Sequence, residues 1–341
     1  MGVEELTRLG VRVKPHPAST GVSFAYFHAL STPHLEPSLQ TLKPAPPFLV
    51  EGKTILRFGL VEGDAVIHAS ARAVYDPQTA RDPAPFAANG SLADEWALVI
   101  NANELSAIGR ADGIEDVVAV IFREQDATVI VVKRGPAGAS VYERGGRVSH
   151  VPAYRSDRVF KIGTGDVFTA GFALFWAQRR MPAASAADHA SRAVADYCEN
   201  PHSQIGAFPG PTRRAVPSGA TGPILLAGAA ETIGQRYTLE ELRFRLRELN
   251  AQVFCPVLDG NDLGHARAAA LLIVYDGMRD DDLAQALRPL ATGTPGILFA
   301  QTNQAPLAGL GRAGHVVDDF STAVYHSIWA ATGAAKANHL A

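Results

Sequence analysis

The chain has 341 residues, 47% of them apolar, with 31 Lys and Arg against 34 Asp and Glu for a formal net charge of −3. That length admits two domains with packed cores, and the charge balance excludes a broad nucleic-acid-binding face, which needs an excess of cations. No apolar run approaches the roughly 18 residues that argue for a membrane span. The opening "MGVEELTRLGVRVK" carries charges where a signal peptide has an apolar stretch, so a cytoplasmic location is expected. Cys198 and Cys255 have no metal-ligand spacing and read as buried, reduced thiols.

In chain order, "HPASTGVSFAYFHALSTPHLEPSLQTLKPAPPFL" holds too many breakers for a long helix and predicts edge strands or a lid. His28 and His34 lie in it without Asp, Glu or Cys at a metal spacing, and packing or surface roles are expected of both. "DAVIHAS", "WALVINAN" and "ATVIVVKRG" read as strands alternating with helical stretches. The helical run after Asp166 follows, and "GAFPGPTRRAVPSGATGP" then interrupts all periodicity. The expected division is a first domain at 1–207, a linker at 208–222 and a second domain at 223–332. In the second, "PILLAG" precedes a helix predicted to open on a Thr238 and Glu241 capping box, with Leu242, Leu246 and Leu249 at helical spacing. "AQVFCPV" and "AALLIVYDG" read as further strands. Such β-α alternation predicts parallel sheets covered by helices on both faces.

Three stretches carry chemistry. In "VINANELSAIG" a strand runs into Asn101 and Glu104, oxygen ligands suited to a hydrated Mg²⁺ beside phosphates; the same pair also reads as a polar-capped helix start. "TVIVVKRGPAGASVYERGG" joins two strands through Lys133, Gly135 and Gly138, either as a plain tight turn or as bare backbone for a nucleotide to lie across. In "FKIGTGDVFTAGFALF", Gly163, Thr164 and Gly165 form a turn ahead of a helix, where backbone N–H groups and the helix dipole suit an anion. Asp166 would repel that anion unless it has a task, such as taking a proton from a hydroxyl that attacks the phosphate.

"GTGDVFTAGFAL" closely resembles the signature of the PfkB (ribokinase-like) carbohydrate kinases, "NANE" their N-x-x-E and "KRGPAG" their K-x-G-x-x-G. "VYDPQ", with Asp76, resembles their D-P-N segment, with Gln78 where Asn is usual. Order and spacing agree over residues 55–210. The resemblance implies a ribokinase-like three-layer α/β/α domain with Asp166 as catalytic base and Gly163, Thr164 and Gly165 as anion hole. It further implies Lys133, Gly135 and Gly138 at ATP, and Asn101 and Glu104 at Mg²⁺. Lys161 stands where that family often has Asp or Asn, and the chain begins too late to show the family's Gly-Gly motif and early sugar-binding aspartate.

Residues 223–332 resemble nucleoside 2-deoxyribosyltransferases, which implies a smaller doubly wound parallel-sheet domain with a pocket near Asp276 and Gln285. Asp276-Gly277 matches that family's D-G. Gln285 occupies the place of its nucleophilic Glu, and an amide cannot act as that carboxylate. Asp281, Asp282 and Leu283 replace its G-T-A. The expected function is ATP-dependent phosphorylation of a sugar or nucleoside hydroxyl, with a small-molecule partner, no nucleic acid, no membrane and a possible homo-oligomer. The alternatives are a catalytically weakened nucleotide- or nucleoside-binding regulator and nucleoside glycosyl transfer or hydrolysis by the second domain.

Overall fold

Valine- and isoleucine-rich runs become strands because β-branched side chains fit a pleated surface covered on both sides. In the computed structural model, which describes residues 3–18, 20–79, 82–108, 113–200, 213–260, 268–291, 293–301 and 314–337, two sheets are built from such runs. The first half begins with α1 (Val3–Arg8), β1 (Ser23–Ala25), β2 (His34–Glu36), β3 (Phe48–Glu51), β4 (Thr54–Phe58), β5 (Ala65–Ala69) and β6 (Arg72–Asp76). It continues with β7 (Glu95–Asn101), α2 (Ala102–Ile108), α3 (Ile114–Glu124), β8 (Val129–Lys133), β9 (Ala139–Glu143) and β10 (Val148–Val151). It closes with α4 (Thr164–Phe172), a π-helical continuation over Ala173–Gln178, and α5 (Ala183–Glu199).

Strands β4, β6, β7 and β8 pair in parallel and β8, β9 and β10 antiparallel, giving a six-stranded sheet in the order β10-β9-β8-β7-β6-β4. Alternate residues face opposite layers, as the two-residue period of a strand requires. Val74, Ala97, Val99, Val129 and Val131 pack with Phe168, Phe172 and the alanines of α5 on one side. Tyr75, Leu98, Ile100, Ile130 and Val132 pack with Leu105, Val117, Val118 and Ile121 of α2 and α3 on the other. This is the three-layer arrangement expected. The early segment supplies β4 as an edge strand and two small pairs, β1 with β2 and β3 with β5. His28 takes a packing role: its Nε2 lies 2.8 Å from Glu241 Oε1 and its ring stacks on Phe320. His34 is exposed on β2.

The second half comprises β11 (Ile224–Gly228), α6 (Ile233–Glu248), β12 (Val253–Phe254), α7 (Pro256–Asp259) and β13 (Ala270–Val274), then α8 (Asp280–Ala291), β14 (Gly296–Phe299), β15 (Gly314–Val317) and α9 (Phe320–Ala337). Its five strands are all parallel, in the order β12-β11-β13-β14-β15. Ile224, Leu226, Leu272 and Phe299 face α6 and α9, whereas Leu271, Ile273 and Leu298 face Leu283 and Leu290 of α8. The sheet is thus doubly wound. Helix α6 corrects one expectation, because it opens six residues earlier than Thr238. Thr232 is the cap: Gln235 N–H donates to Thr232 Oγ1 at 3.2 Å, and Thr232 N–H donates to Gln235 Oε1 at 2.9 Å. Thr232-x-x-Gln235 satisfies the capping-box spacing as well as Thr238-x-x-Glu241 does, and the apolar stripe of Leu239, Leu242 and Leu246 needs the earlier start to be backed by a full turn.

Helix α9 belongs to both halves. One side of it closes the second sheet, while Thr322, Tyr325, His326 and Trp329, recurring at helical spacing, meet the first half. Trp329 Nε1–H donates to Pro136 O at 3.0 Å, Val159 N–H donates to Thr322 Oγ1 at 2.8 Å, and His326 Nε2 lies 2.9 Å from Ser156 O. The expected linker falls partly in 201–212, outside the described residues. Its described part is docked: Val216 is buried, Val216 N–H donates to Ala153 O at 2.8 Å, and Arg213 pairs with Asp196 and Glu199.

Burial, together with the neighbouring His315 and Arg155, pushes the His326 pKa down from 6.5 to about 4, partly offset by the bond to Ser156 O. A histidine held neutral in the fold but free to protonate when unfolded stabilises fully above pH 6.5 and loses that contribution as pH falls towards 4. His326→Gln, which keeps a donor, is expected to flatten the acid slope of the unfolding free energy by up to about 3 kcal/mol over that interval. Urea titrations at stepped pH measure it, and equal slopes for the two proteins would refute the assignment.

Candidate active site

The turn before α4 folds as its glycines dictate. Gly163 caps the helix with φ +82°, a left-handed conformation, and a Cβ there would stand 2.6 Å from the Tyr197 hydroxyl, itself bonded to Ile162 O at 2.9 Å. Both constraints demand glycine. Thr164 N–H donates to Lys161 O at 3.3 Å, and the Thr164 hydroxyl donates to the same oxygen at 2.8 Å. Of the expected anion hole, then, Thr164 has spent its backbone donor. The N–H groups of Gly163, Gly165 and Asp166 have no acceptor among the described residues. They stand at the positive end of α4, where an anion would satisfy them.

Asp166 lies on the first turn of α4, exposed, with Gln78 Nε2–H bonded to its Oδ1. Desolvation, and secondarily the charge of Asp76, push its carboxyl pKa up against the opposing pull of Lys133, Gln78 and Lys161. A raised pKa makes the carboxylate a better proton acceptor. Asp76, at the end of β6, is 1% exposed. Its Oδ2 accepts from Lys133 Nζ at 2.6 Å and from Thr169 Oγ1 at 2.6 Å, and its Oδ1 accepts from Gln78 N–H at 3.2 Å. One buried carboxylate therefore joins β6, β8 and α4. Lys133 Nζ in turn lies 3.6 Å from where a Cβ on Gly165 would be.

Asn101 and Glu104 meet each other: Asn101 N–H donates to Glu104 Oε2 and Glu104 N–H to Asn101 Oδ1, both at 2.9 Å. This is a reciprocal helix cap at the junction of β7 and α2. Burial raises the Glu104 pKa, opposed by Lys133 and the Asn101 N–H. Among the described residues no group of three or more His, Cys, Asp or Glu could hold a metal ion. The Gly135–Gly138 turn closes on itself, with Arg134 N–H donating to Gly138 O at 2.7 Å and Gly138 N–H to Gly135 O at 3.0 Å. A Cβ on Gly138 would stand 2.0 Å from Val151 O, so close packing alone accounts for that glycine, and Tyr325 of α9 lies against Gly135. Both cysteines are buried and free, their thiols pushed up to about 11 by burial.

In the second sheet Asp276 follows β13, and its Oδ2 accepts from Gln301 N–H at 2.8 Å. Gln285 is exposed on α8. Beside Asp276, Gly277 lies against the Gln235 side chain at the start of α6. Sequence reasoning missed Thr169, whose signal was its place one helical turn after Asp166, and it treated Gln78 only as a departure from a pattern.

Removing one partner of a buried ion pair leaves the other charge uncompensated. Asp76→Ala is expected to cost about 3 kcal/mol, the low end of the range because Lys133 can reach water, and Thr169→Val about 1 kcal/mol. Urea unfolding checks both. A loss below about 0.5 kcal/mol for Asp76→Ala, the size of an ordinary surface substitution, would show that the three elements hold without this carboxylate.

Residues 66–200 match the family described as "pfkB family carbohydrate kinase". No curated protein matches the chain. Among solved structures, it is similar to an Arabidopsis thaliana ribokinase complexed with ribose and ATP, at 21% identity and TM-score 0.31 over 39% of this chain and 43% of that one. It is similar also to a Burkholderia thailandensis nucleoside kinase in complex with inosine, at 20% identity and TM-score 0.30 over 39% and 42%. A Thermotoga maritima ribokinase gives 21% identity and TM-score 0.29 over 37% and 42%. The chain spans about half the length of these ribokinase and nucleoside kinase structures. The layered sheet is a ribokinase-like α/β fold, and residues 66–200 of it match the pfkB carbohydrate kinase family model.

Proposed function

We propose that the chain transfers a phosphoryl group from ATP to a hydroxyl of a sugar or nucleoside. The observation that carries this reading is the start of α4, where N–H groups with no acceptor among the described residues and a carboxylate with a raised pKa occupy adjacent residues. Phosphoryl transfer asks the protein mainly for positioning and charge neutralisation. The N–H groups of Gly163 and Gly165 hold the transferred phosphate, and Asp166 accepts the hydroxyl proton as the acceptor oxygen bonds to phosphorus and ADP departs. Gln78 fixes the Asp166 carboxyl, and Asp76 fixes Gln78 through its backbone N–H. Mg²⁺ fits here in one respect: Glu104 Oε1 accepts no bond among the described residues, and a hard cation takes carboxylate oxygen, waters and phosphate. Glu104 would hold it, and the ion would supply charge neutralisation.

Asp166→Asn is expected to lower turnover by a factor on the order of 10²–10⁴ with nucleotide affinity nearly unchanged. Phosphate transfer to a panel of sugars and nucleosides, run beside calorimetric nucleotide binding, measures both. A wild-type chain that binds ATP without turnover on any acceptor supports the regulator instead, and one that binds no nucleotide ends the kinase reading.

The second sheet has a reading of its own, favoured by its strand order. The chain winds from β11 to β12 on one side and from β13 onward on the other, so the switch point lies between β11 and β13, and ligands of such sheets bind there. Asp276, Gly277 and the Gln235 cap stand at that end of β13. We read this unit as a nucleoside-binding module without glycosyl transfer, since Gln285 lacks the carboxylate. Incubating the full chain with deoxynucleosides should release no free base above the buffer control. Release abolished by Asp281→Ala or Asp282→Ala would show that a neighbouring carboxylate has taken over.

A further inference from the structure

We infer that Lys161 is the cation that meets the donor's terminal phosphate at the head of α4. The inference rests on the phosphotransferase reading and names the charge on which that site turns. Lys161 enters the turn from the strap at 156–159, which α9 holds through Thr322 and His326, and its Nζ lies 3.0 Å from Thr164 Oγ1, on the first residue of α4. The contact is to a neutral hydroxyl that already donates its proton to Lys161 O. No carboxylate lies within ion-pair distance of Lys161 among the described residues.

The other lysine of the site is already matched. Lys133 is bonded to the Asp76 carboxylate at 2.6 Å, in a pair that also ties down Thr169. A phosphate drawn to Lys133 would have to compete with that bond, whereas one drawn to Lys161 would complete a charge that the fold leaves open. Leaving an ammonium withdrawn from water without a counter-ion is unfavourable, and an anion at the N–H groups of Gly163, Gly165 and Asp166 removes the penalty. The anion and the lysine stabilise each other.

A second consequence follows from what surrounds the ammonium. Lys133 from β8, Asp166 from α4 and the Cys198 thiol from α5 face it, and the Tyr197 hydroxyl of α5 is bonded next to it at Ile162 O. Burial first, and Lys133 second, lower the Lys161 pKa. A bound phosphate raises it again. Between the free and bound values binding takes up a proton, so affinity falls as pH rises through that window.

The test is calorimetry of the full chain with ATP, with inorganic pyrophosphate and with adenosine, at stepped pH. Lys161→Met is expected to weaken ATP and pyrophosphate alike by about tenfold or more and to leave adenosine unchanged, because a charge-assisted bond to phosphate is lost. Lys161→Arg should restore phosphate affinity but with a flatter pH dependence, since guanidinium does not deprotonate in this range. The Arg variant also separates loss of charge from loss of folding. Wild-type binding of ATP and pyrophosphate with unchanged affinity in Lys161→Met overturns this assignment and leaves the kinase reading standing. Absence of ATP and pyrophosphate binding by the wild-type chain overturns both.

Discussion

The carboxylate of Asp76 is the interaction around which the candidate site is assembled. It sits at the end of β6, withdrawn from water, and a charge so placed is tolerable only if hydrogen bonds and a counter-charge surround it. Lys133, Thr169 and the Gln78 N–H supply them, each from a different part of the chain. Satisfying one carboxylate therefore fixes where β8 ends relative to β6, how α4 is rotated about its axis, and where Gln78 points. Asp166 follows from that geometry, since Gln78 reaches it and Thr169 lies on the same helix.

The charges around the head of α4 are arranged in two layers. Below, Asp76 and Lys133 neutralise each other. Above, Asp166 and Lys161 are less completely matched; burial shifts the Lys161 ammonium downwards, and the low-dielectric flank beside Asp76 shifts the Asp166 carboxyl upwards although that residue is open to solvent on its other side. Groups shifted in this way change charge state readily when a charged ligand arrives.

Helix α9 makes the two halves one structure at this point. Its apolar side completes the core of the second sheet, and its Thr322, His326 and Trp329 hold the strap at 156–159 and the 135–137 turn. The strap leads directly into Lys161 and Gly163. The second unit thus bears on the backbone that positions the site.

Strand alternation, the two glycines around Thr164 and the helix after Asp166 were legible in the sequence, because a β-branched run, a left-handed turn and an apolar helical period are local properties. The docked linker residues, the true start of α6 and the pairing of Asp76 with Lys133 and Thr169 were not. Thr232 and Thr238 satisfy the same short-range spacing, and only the packing of Leu239, Leu242 and Leu246 decides between them. Asn101 and Glu104 could be read as ligands or as a cap, and the backbone placed their atoms on each other. The sequence by itself determined the layered α/β architecture and the glycine turn ahead of α4, since both rest on periodicity and on what glycine permits. The tertiary structure alone decided which charges are compensated and that α9 serves both halves, because a charge's partner is set by distance in space between residues far apart in the chain.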